Sequence, residues 1–392
     1  MDTETSKVMF ALLRSAVCGD LLSSEEISLY SPDILPKITL LAQKHDVIHL
    51  IVFALKKNGL FDEGNKNLES KILLAVYRLE KLNYELTKLC AALEQAEIPF
   101  IPLKGSVLRQ YYPEPWMRTS CDIDVLVHEE DLQRVVSYLS DNLGYRRESQ
   151  NSHDISMFSQ GGVHIEVHFD LVEDGKVNSA TAVLKKIWNV AVKHDMCNCQ
   201  YEIPDEMFYF YHIAHMAKHF ESGGCGIRPF LDIWVLTHRV PHDRDKREML
   251  LADGGLSAFA KHAEHLSDVW FGIGTHDDTT RRLEQFIVRG GVYGTQDNRI
   301  SIQQVRLGGK QGYLRSRVWL SYEKMKRHYP SLDGKPALLP LYEVYRWGRL
   351  LFCGGVERSV NELRVSSGIS EERSEAARLL LSELGLREHG ST

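Results

Sequence analysis

The chain has 392 residues, of which 43% are hydrophobic and 26% are charged. This composition is typical of a soluble globular protein, and the length predicts two or three structural units. The 47 basic and 53 acidic residues give a formal net charge of -6. That charge argues against a broad nucleic-acid-binding surface, which requires a basic domain or stripe.

The sequence carries no pattern of secretion or membrane insertion. Its first residues, MDTETSKVMF, lack the basic start and long apolar stretch of a signal peptide. No uncharged apolar run reaches about 18 residues, so no membrane span is expected. The seven cysteines are scattered and include no C-x-x-C pair, which predicts reduced thiols rather than a zinc ribbon or a disulfide framework. Together these features predict a cytoplasmic protein.

The first third of the chain predicts helices followed by a strand. Over residues 1–93 apolar side chains recur near a 3.6-residue period, which predicts an N-terminal helical region. The short apolar run at 98–103 predicts a strand that ends in a glycine turn. Its two prolines favour the edge of a sheet. A short helix is predicted over 107–112, because prolines follow it closely.

The following residues predict a compact α/β core over 94–175. The run at 121–127 alternates in hydrophobicity, which predicts a strand. Residues 129–142 form an amphipathic pattern with acidic residues in the first turn, which predicts a helix. Three more strands are predicted at 145–148, 154–158 and 163–169. Gly161-Gly162 is expected to form the hairpin between the last two.

Residues 176–392 are predicted to form a mostly helical C-terminal domain. The clearest helical patterns lie at 205–220, 228–239, 256–272, 341–364 and 370–392. The segment 290–312 is rich in Gly and Gln and is expected to be a mobile loop.

Asp122 and Asp124 are the first candidates for chemistry. Residues two apart on a strand point to the same face, where each carboxylate disfavours the charge of the other. A divalent cation would relieve this repulsion, and hard oxygen ligands favour Mg²⁺ or Mn²⁺. The alternative is an edge strand with two solvated acids. Glu166, on a later strand, would complete a three-acid cluster that can hold two ions about 3.5–4 Å apart.

A zinc site is a competing interpretation of the same strand. His164, Glu166 and His168 share one face and carry zinc-binding atoms. Ligands at this spacing spread about 13 Å along a strand, so they reach one ion only where the strand is bent. A zinc-dependent hydrolase therefore stands as an alternative function.

Lys104-Gly105-Ser106 is a candidate phosphate-binding turn. Glycine lets backbone amides approach an anion closely, and the N-terminus of the next helix favours phosphate. The alternative is an ordinary turn. No Walker A or dinucleotide-binding glycine motif is present.

A histidine-rich helix provides further candidates. His212, His215 and His219 share one helical face and Lys218 is adjacent, so this face is suited to grip a triphosphate. Metal binding and a purely structural role are the alternatives. Arg228 and Asp232 stand four apart on the next helix, where they form either an internal ion pair or a substrate clamp.

The order of these motifs along the chain resembles that of a known protein superfamily. Leu103-Lys104-Gly105-Ser106 is followed after fifteen residues by Asp122-Ile123-Asp124, and then by Glu166. This arrangement resembles the nucleotidyltransferase superfamily typified by DNA polymerase β. The sequence is more closely similar to a family of uncharacterised bacterial nucleotidyltransferases, which have an Arg before Asp-x-Asp, here Arg118, and a Glu-x-His-Trp motif. Phe169 replaces the Trp of that motif. The resemblance spans residues 95–240 and includes the histidine-rich helix.

The resemblance implies an α+β fold: a small polymerase β-like core with a mixed sheet, flanked by N-terminal and C-terminal helical regions. It implies transfer of a nucleoside monophosphate from an NTP to a hydroxyl, with release of pyrophosphate. Asp122, Asp124 and Glu166 would bind Mg²⁺ or Mn²⁺ and carry catalysis. The residues expected to bind the nucleotide and its phosphates are Lys104, Gly105, Ser106, Arg118, His215, Lys218 and His219.

The hydroxyl acceptor is not specified by any motif. A small molecule, a protein and tRNA are the three classes that the resemblance implies, and the acidic net charge favours the first two. A non-catalytic nucleotide-binding protein on the same fold is a further alternative to the enzyme.

Overall fold

The computed structural model describes residues 3–171, 177–292, 294–352 and 356–386. The predicted N-terminal helical region is confirmed. Its helices are α1 (Thr3–Cys18), α2 (Ser24–Leu29), α3 (Leu35–Lys44), α4 (Ile48–Lys57) and α5 (Lys66–Gln95). The side chain of Asn65 begins α5 by accepting the backbone N–H of Leu68.

A five-stranded mixed sheet follows. Its strands are β1 (Phe100–Pro102), β2 (Asp122–Val127), β3 (Arg146–Gln150), β4 (Asp154–Phe158) and β5 (His164–His168). Their order across the sheet is β1-β2-β5-β4-β3. Strands β2 and β5 pair in parallel, and the other neighbours are antiparallel. The proline-containing strand β1 lies at the edge, as its sequence predicts.

One face of the sheet is apolar and packs against helices. Two short helices interrupt the strands, α6 (Gly105–Leu108) and α7 (Leu132–Leu143), and Gly144 ends α7 in the left-handed conformation at φ 65°. Side chains from β2, β5, α5 and α7 form one buried core. Since side chains alternate along a strand, Ile123 and Val125 face this core while Asp122 and Asp124 face the opposite side.

The C-terminal half is mostly helical, as predicted, apart from a two-stranded ribbon that the sequence did not predict. The ribbon and the elements before it are α8 (Asn178–Leu184), α9 (Ile187–Val190), β6 (Val192–Lys193) and β7 (Tyr201–Glu202). The next helices are α10 (Asp205–Ser222), α11 (Arg228–His238), α12 (Arg244–Asp253), α13 (Ser257–Phe271) and α14 (Asp278–Val288). The remaining ones are α15 (Gln296–Arg306), α16 (Lys310–Val318), α17 (Tyr322–His328), α18 (Leu339–Phe352), α19 (Val356–Gly368) and α20 (Glu371–Glu383).

The prediction of a mobile loop at 290–312 is wrong. Helix α15 occupies its centre, because the Thr295 hydroxyl accepts the backbone N–H of Asn298 and caps the helix. Ile300 and Ile302 of this helix are buried, so tertiary packing outweighs the polar composition. The helix expected at 341–364 is helical in α18 and α19, and the residues between these two helices lie outside the described residues. The end of the helix expected at 370–392 lies outside the described residues.

A large apolar core joins helices from both ends of the chain. Phe10 of α1 stacks on Trp270 of α13 with ring centroids 4.2 Å apart, and Leu380 of α20 belongs to the same core. The boundaries predicted after residues 93 and 175 stay a prediction.

His49 lies in this core beside the turn that precedes β2. Its Nε2 donates to the backbone oxygen of Met117 at 3.0 Å, and burial lowers its pKa to about 4. An unfolded chain holds this histidine near its ordinary pKa of about 6.5. The unfolded state therefore takes up the proton first as the pH falls, and stability that is present above pH 6.5 is lost toward pH 4.

We expect His49→Gln, which keeps a side-chain N–H donor, to reduce the pH dependence of stability. Wild-type protein should lose about 2 kcal/mol of unfolding free energy from this residue between pH 7 and pH 5. Urea denaturation at the two pH values measures the difference. His238→Gln, at an exposed position, is the control. Equal pH dependence in wild type and His49→Gln would contradict the assignment.

Candidate active site

Three carboxylates meet on the polar face of the sheet. Strands β2 and β5 pair in parallel with Asp122 opposite His164 and Asp124 opposite Glu166. Because the register is in phase, both members of each pair point to the same face. Asp122, Asp124 and Glu166 all line one cavity of about 370 Å³. The fold thus brings together the three acids that were singled out from the sequence.

The two walls of this cavity differ in chemistry. The sheet forms an acidic wall, lined by Asp122, Asp124, Asp154 and Glu166. Helix α10 and the start of α11 form a wall rich in nitrogen, lined by His212, His215, Lys218, His219 and Arg228. A metal-bound triphosphate has the matching charge distribution, since its cations would face the first wall and its phosphates the second.

Lys104 reaches the acidic wall from the turn after β1. Its Nζ lies 2.7 Å from Oδ1 of Asp124 and 3.8 Å from Oε2 of Glu166. The backbone of Lys104 has φ 45° and ψ −117°, a conformation that is costly for a residue with a Cβ. Gly105 permits close packing after it, because a Cβ there would stand 3.0 Å from Ser120. The strained turn holds the ammonium group against the acids.

His168 is a second partner of the same carboxylates. Its Nε2 lies 2.9 Å from Oδ1 of Asp124 and 3.3 Å from Oε2 of Glu166. Burial alone would lower the pKa of His168, but hydrogen bonds to Asp124 and Glu166 raise it above the ordinary value. Burial alone would raise the pKa of Asp124, but Lys104 and His168 hold it well below the ordinary value. These contacts favour the ionised form of Asp124.

Asp122 has a different environment. Burial and the charge of the neighbouring Asp124 raise its pKa above the ordinary value. No ion pair reaches Asp122 within the part of the chain that the structure describes. A cation placed beside Asp122 would remove this repulsion and favour its ionised form.

The donor atoms fit divalent cations. Three groups of three residues bring one ligand atom each to within 4.8 Å of one another: Asp122 with His164 and Glu166, Asp124 with Glu166 and His168, and His153 with Asp154 and His168. Glu166 belongs to the first two groups. A shared carboxylate is what a pair of adjacent ions would require.

The same grouping bears on the zinc interpretation. His164 and His168 do not appear together in any of the three groups, and each joins Glu166 with a different aspartate. His168 shares a group with a second histidine, His153, and with Asp154.

The histidine-rich helix faces the acids across the cavity. Nε2 of His215 and Nε2 of His219 lie 3.3 Å apart, and Nζ of Lys218 lies 3.3 Å from Nε2 of His153. Burial, followed by the charge of Lys104, lowers the pKa of His215 well below its ordinary value. His212 contacts the backbone oxygen of Pro229 at 3.0 Å and so ties α10 to α11.

Six of the seven residues expected to bind the nucleotide and its phosphates line the cavity: Lys104, Gly105, Arg118, His215, Lys218 and His219. Arg118 also forms a bidentate ion pair with Asp232 of α11, with Nε–Oδ1 2.7 Å and Nη2–Oδ2 2.9 Å. Ser106 is not among the lining residues, and its buried hydroxyl has no hydrogen-bond partner among the described residues. The roles of these residues at the phosphates stay a prediction.

Of the two alternatives for Arg228 and Asp232, the internal ion pair is not found, because each residue pairs with another partner. Arg228 pairs with Asp46 at 3.0 Å, while Asp232 pairs with Arg118 and accepts the hydroxyl of Tyr112 at 2.7 Å. Spacing within one helix did not reveal these partners, because both come from distant parts of the chain.

Two site histidines were missed as cavity residues. His168 could have been found from its i+2 spacing after Glu166, which puts it on the same strand face. The sequence indicates it only as a possible zinc ligand and as the histidine of the Glu-x-His motif. His153, just before β4, had no local signal, because the sheet order alone carries it next to His168, with ring centroids 5.9 Å apart.

The α/β core and the helices of the C-terminal half together line this cavity. The chain belongs to the family described as "Uncharacterised nucleotidyltransferase", whose profile matches residues 35–272. A comparison with curated proteins gave no match. Among solved structures, a Thermotoga maritima CCA-adding enzyme complexed with tRNA-CCA matches with 12% identity and a TM-score of 0.21. That match covers 79% of this chain and 84% of the other.

The membrane prediction can be compared with the helices. Within the described ranges, none of the helices has the length and apolar character needed to cross a bilayer.

We expect the pair of Arg118 and Asp232 to contribute strongly to stability. Both side chains are buried, so Asp232→Asn leaves an unpaired guanidinium and should cost about 3–5 kcal/mol of unfolding free energy. Glu248→Gln breaks the exposed pair of Arg244 and Glu248 and should cost less than about 1 kcal/mol. Urea denaturation of the two variants measures both values. A small loss in Asp232→Asn would contradict a structural role for Arg118.

Proposed function

We propose that this protein is a metal-dependent nucleotidyltransferase that transfers a nucleoside monophosphate from an NTP to a hydroxyl acceptor and releases pyrophosphate. The observation that carries the proposal is the in-register pairing of Asp124 with Glu166 beside Asp122, opposite a wall of nitrogen-bearing side chains. Membership of the nucleotidyltransferase family supports the reaction class.

The acidic wall is suited to divalent cations. Asp122, Asp124 and Glu166 supply hard oxygen donors, which favour Mg²⁺ or Mn²⁺. When bound, such ions polarise the α-phosphate and stabilise the charge on the attacking and leaving oxygens. Asp124, ionised through its contacts with Lys104 and His168, is ready to bind a cation without first losing a proton.

Glu166 is proposed either as the general base or as the ligand of a metal ion that replaces a general base. Its side chain is 25% exposed, whereas that of Asp124 is 3% exposed, so an acceptor hydroxyl can approach it more readily. The acceptor oxygen forms a bond to the α-phosphorus as its proton passes to Glu166. The bond from that phosphorus to the oxygen bridging the α- and β-phosphates breaks, and pyrophosphate leaves.

The opposite wall is proposed to bind the phosphates. Lys218, His215 and His219 lie on one stretch of α10, and Lys104 lines the same cavity. The positive charge of Lys104 and Lys218 and the N–H donors of His215 and His219 would stabilise the leaving pyrophosphate. The backbone around Gly105 can approach a phosphate closely. Arg118 acts indirectly in this proposal, by fixing the chain before β2 to α11 through Asp232.

The acceptor is proposed to be a small molecule or a protein. The net charge of -6 offers little general attraction for a long polyanion, although a tRNA end remains in the test. Incubation with each labelled NTP, Mg²⁺ or Mn²⁺, and host-cell extract would identify the acceptor. Treating the product with nuclease or protease separates the three classes.

We expect Asp124→Asn to reduce pyrophosphate release by about 10²–10³-fold, because it removes a buried charge from the cation-binding face. Asp278→Asn makes the same change at a side chain that is 83% exposed and is the matched control. Pyrophosphate release in extract with each NTP measures the rate, with and without a chelator. Metal-independent release, or equal rates in both variants, would refute the proposal. Substrate hydrolysis without NTP would favour the zinc hydrolase instead.

A further inference from the structure

A nitrogen donor stands beside the carboxylates at one end of the site. His164 is the first residue of β5 and lies directly opposite Asp122, the first residue of β2. Nδ1 of His164 is 3.9 Å from Oε1 of Glu166. Ligand atoms of all three residues lie within 4.8 Å of one another. Ligands about 2.1 Å from an octahedral ion are separated by about 3–4 Å, so small side-chain movements would complete a shared site.

The charges of the protein itself separate two positions along the strands. At the inner position, Oδ1 of Asp124 and Oε2 of Glu166 contact both Lys104 and His168. These nitrogen groups already compensate the inner carboxylates. The outer position is formed by Asp122, His164 and Oε1 of Glu166. Among the described residues, no lysine or arginine lies within ion-pair distance of Asp122. A cation bound at this position would therefore compensate the charge of Asp122.

The ring of His164 is held by a neighbouring strand. Phe158 of β4 is its register partner, and their ring centroids are 5.0 Å apart. The His164 side chain is 27% exposed, so an ion can reach it from solvent. This packing restricts the imidazole to the edge of the acidic wall.

A mixed nitrogen and oxygen donor set has a chemical consequence. Mg²⁺ selects oxygen donors and gives up its waters reluctantly, whereas Mn²⁺ and later first-row ions accept an imidazole nitrogen readily. We propose that the outer position binds Mn²⁺ in preference to Mg²⁺, with His164 Nδ1 as a ligand beside Asp122 and Glu166. This inference rests on the proposed function, in which these acids hold divalent cations.

Electron spin echo envelope modulation of substoichiometric Mn²⁺ on the full chain tests the ligand directly. We expect ¹⁴N modulation in wild type and its loss in His164→Gln. His194→Gln is the matched control, because His194 also lies beside a carboxylate, with its Nε2 3.4 Å from Glu202. That variant should keep the modulation. Thermal melting of each variant establishes that the fold is retained.

Calorimetric titration tests the metal preference. His164→Gln should weaken Mn²⁺ binding about 10–100-fold and leave Mg²⁺ binding within about twofold. His164→Asp makes the donor set all oxygen and should shift the preference toward Mg²⁺. Retained ¹⁴N modulation in His164→Gln, or equal losses for both ions, would overturn the inference.

The two proposals can fail separately. Metal-dependent pyrophosphate release by a protein whose bound Mn²⁺ shows no ¹⁴N modulation would overturn the role of His164 and leave the proposed function standing. Absence of both Mn²⁺ binding and pyrophosphate release would overturn both.

Discussion

The parallel pairing of β2 with β5 is the constraint on which the site depends. These strands are separated by α7 and two other strands in the sequence, yet they pair in phase. A slip of one residue would turn Glu166 into the apolar core and expose Ile165 to the cavity. Burial of the alternate residues Ile123, Val125 and Ile165 therefore fixes the positions of the acids. The same strand register therefore determines the apolar core on one face of the sheet and the polar site on the other.

That relation explains how far the sequence predicts the fold. Alternation in β2 and β5 identified both strands and put the acids on one face of each, because period and burial are local properties. The loop prediction at 290–312 was wrong because the outcome there depends on long-range packing and not on a local property. Gly and Gln favour a loop locally, but packing of Ile300 and Ile302 sets the outcome. The ribbon of β6 and β7 is too short to produce a periodic pattern.

The sequence likewise predicts some residues of the candidate site and not the partners of others. Asp122, Asp124 and Glu166 could be proposed from residue type and spacing, and the cavity contains all three. The partner of Arg118 could not be predicted, because Asp232 is more than a hundred residues away and only the packing of α11 brings them together. Long-range partners decide whether a charged residue is structural, and spacing does not encode them.

The distribution of charge within the site indicates where a cation would be needed most. Lys104 is held in a strained turn so that its ammonium group compensates Asp124, and His168 adds a second donor from below. Asp122 and Asp124 stand two residues apart on one face of β2, so each disfavours the charge of the other. Lys104 and His168 lower the pKa of Asp124, and burial together with the charge of Asp124 raises the pKa of Asp122. A cation bound beside Asp122, next to His164, would therefore favour the ionised form of this carboxylate.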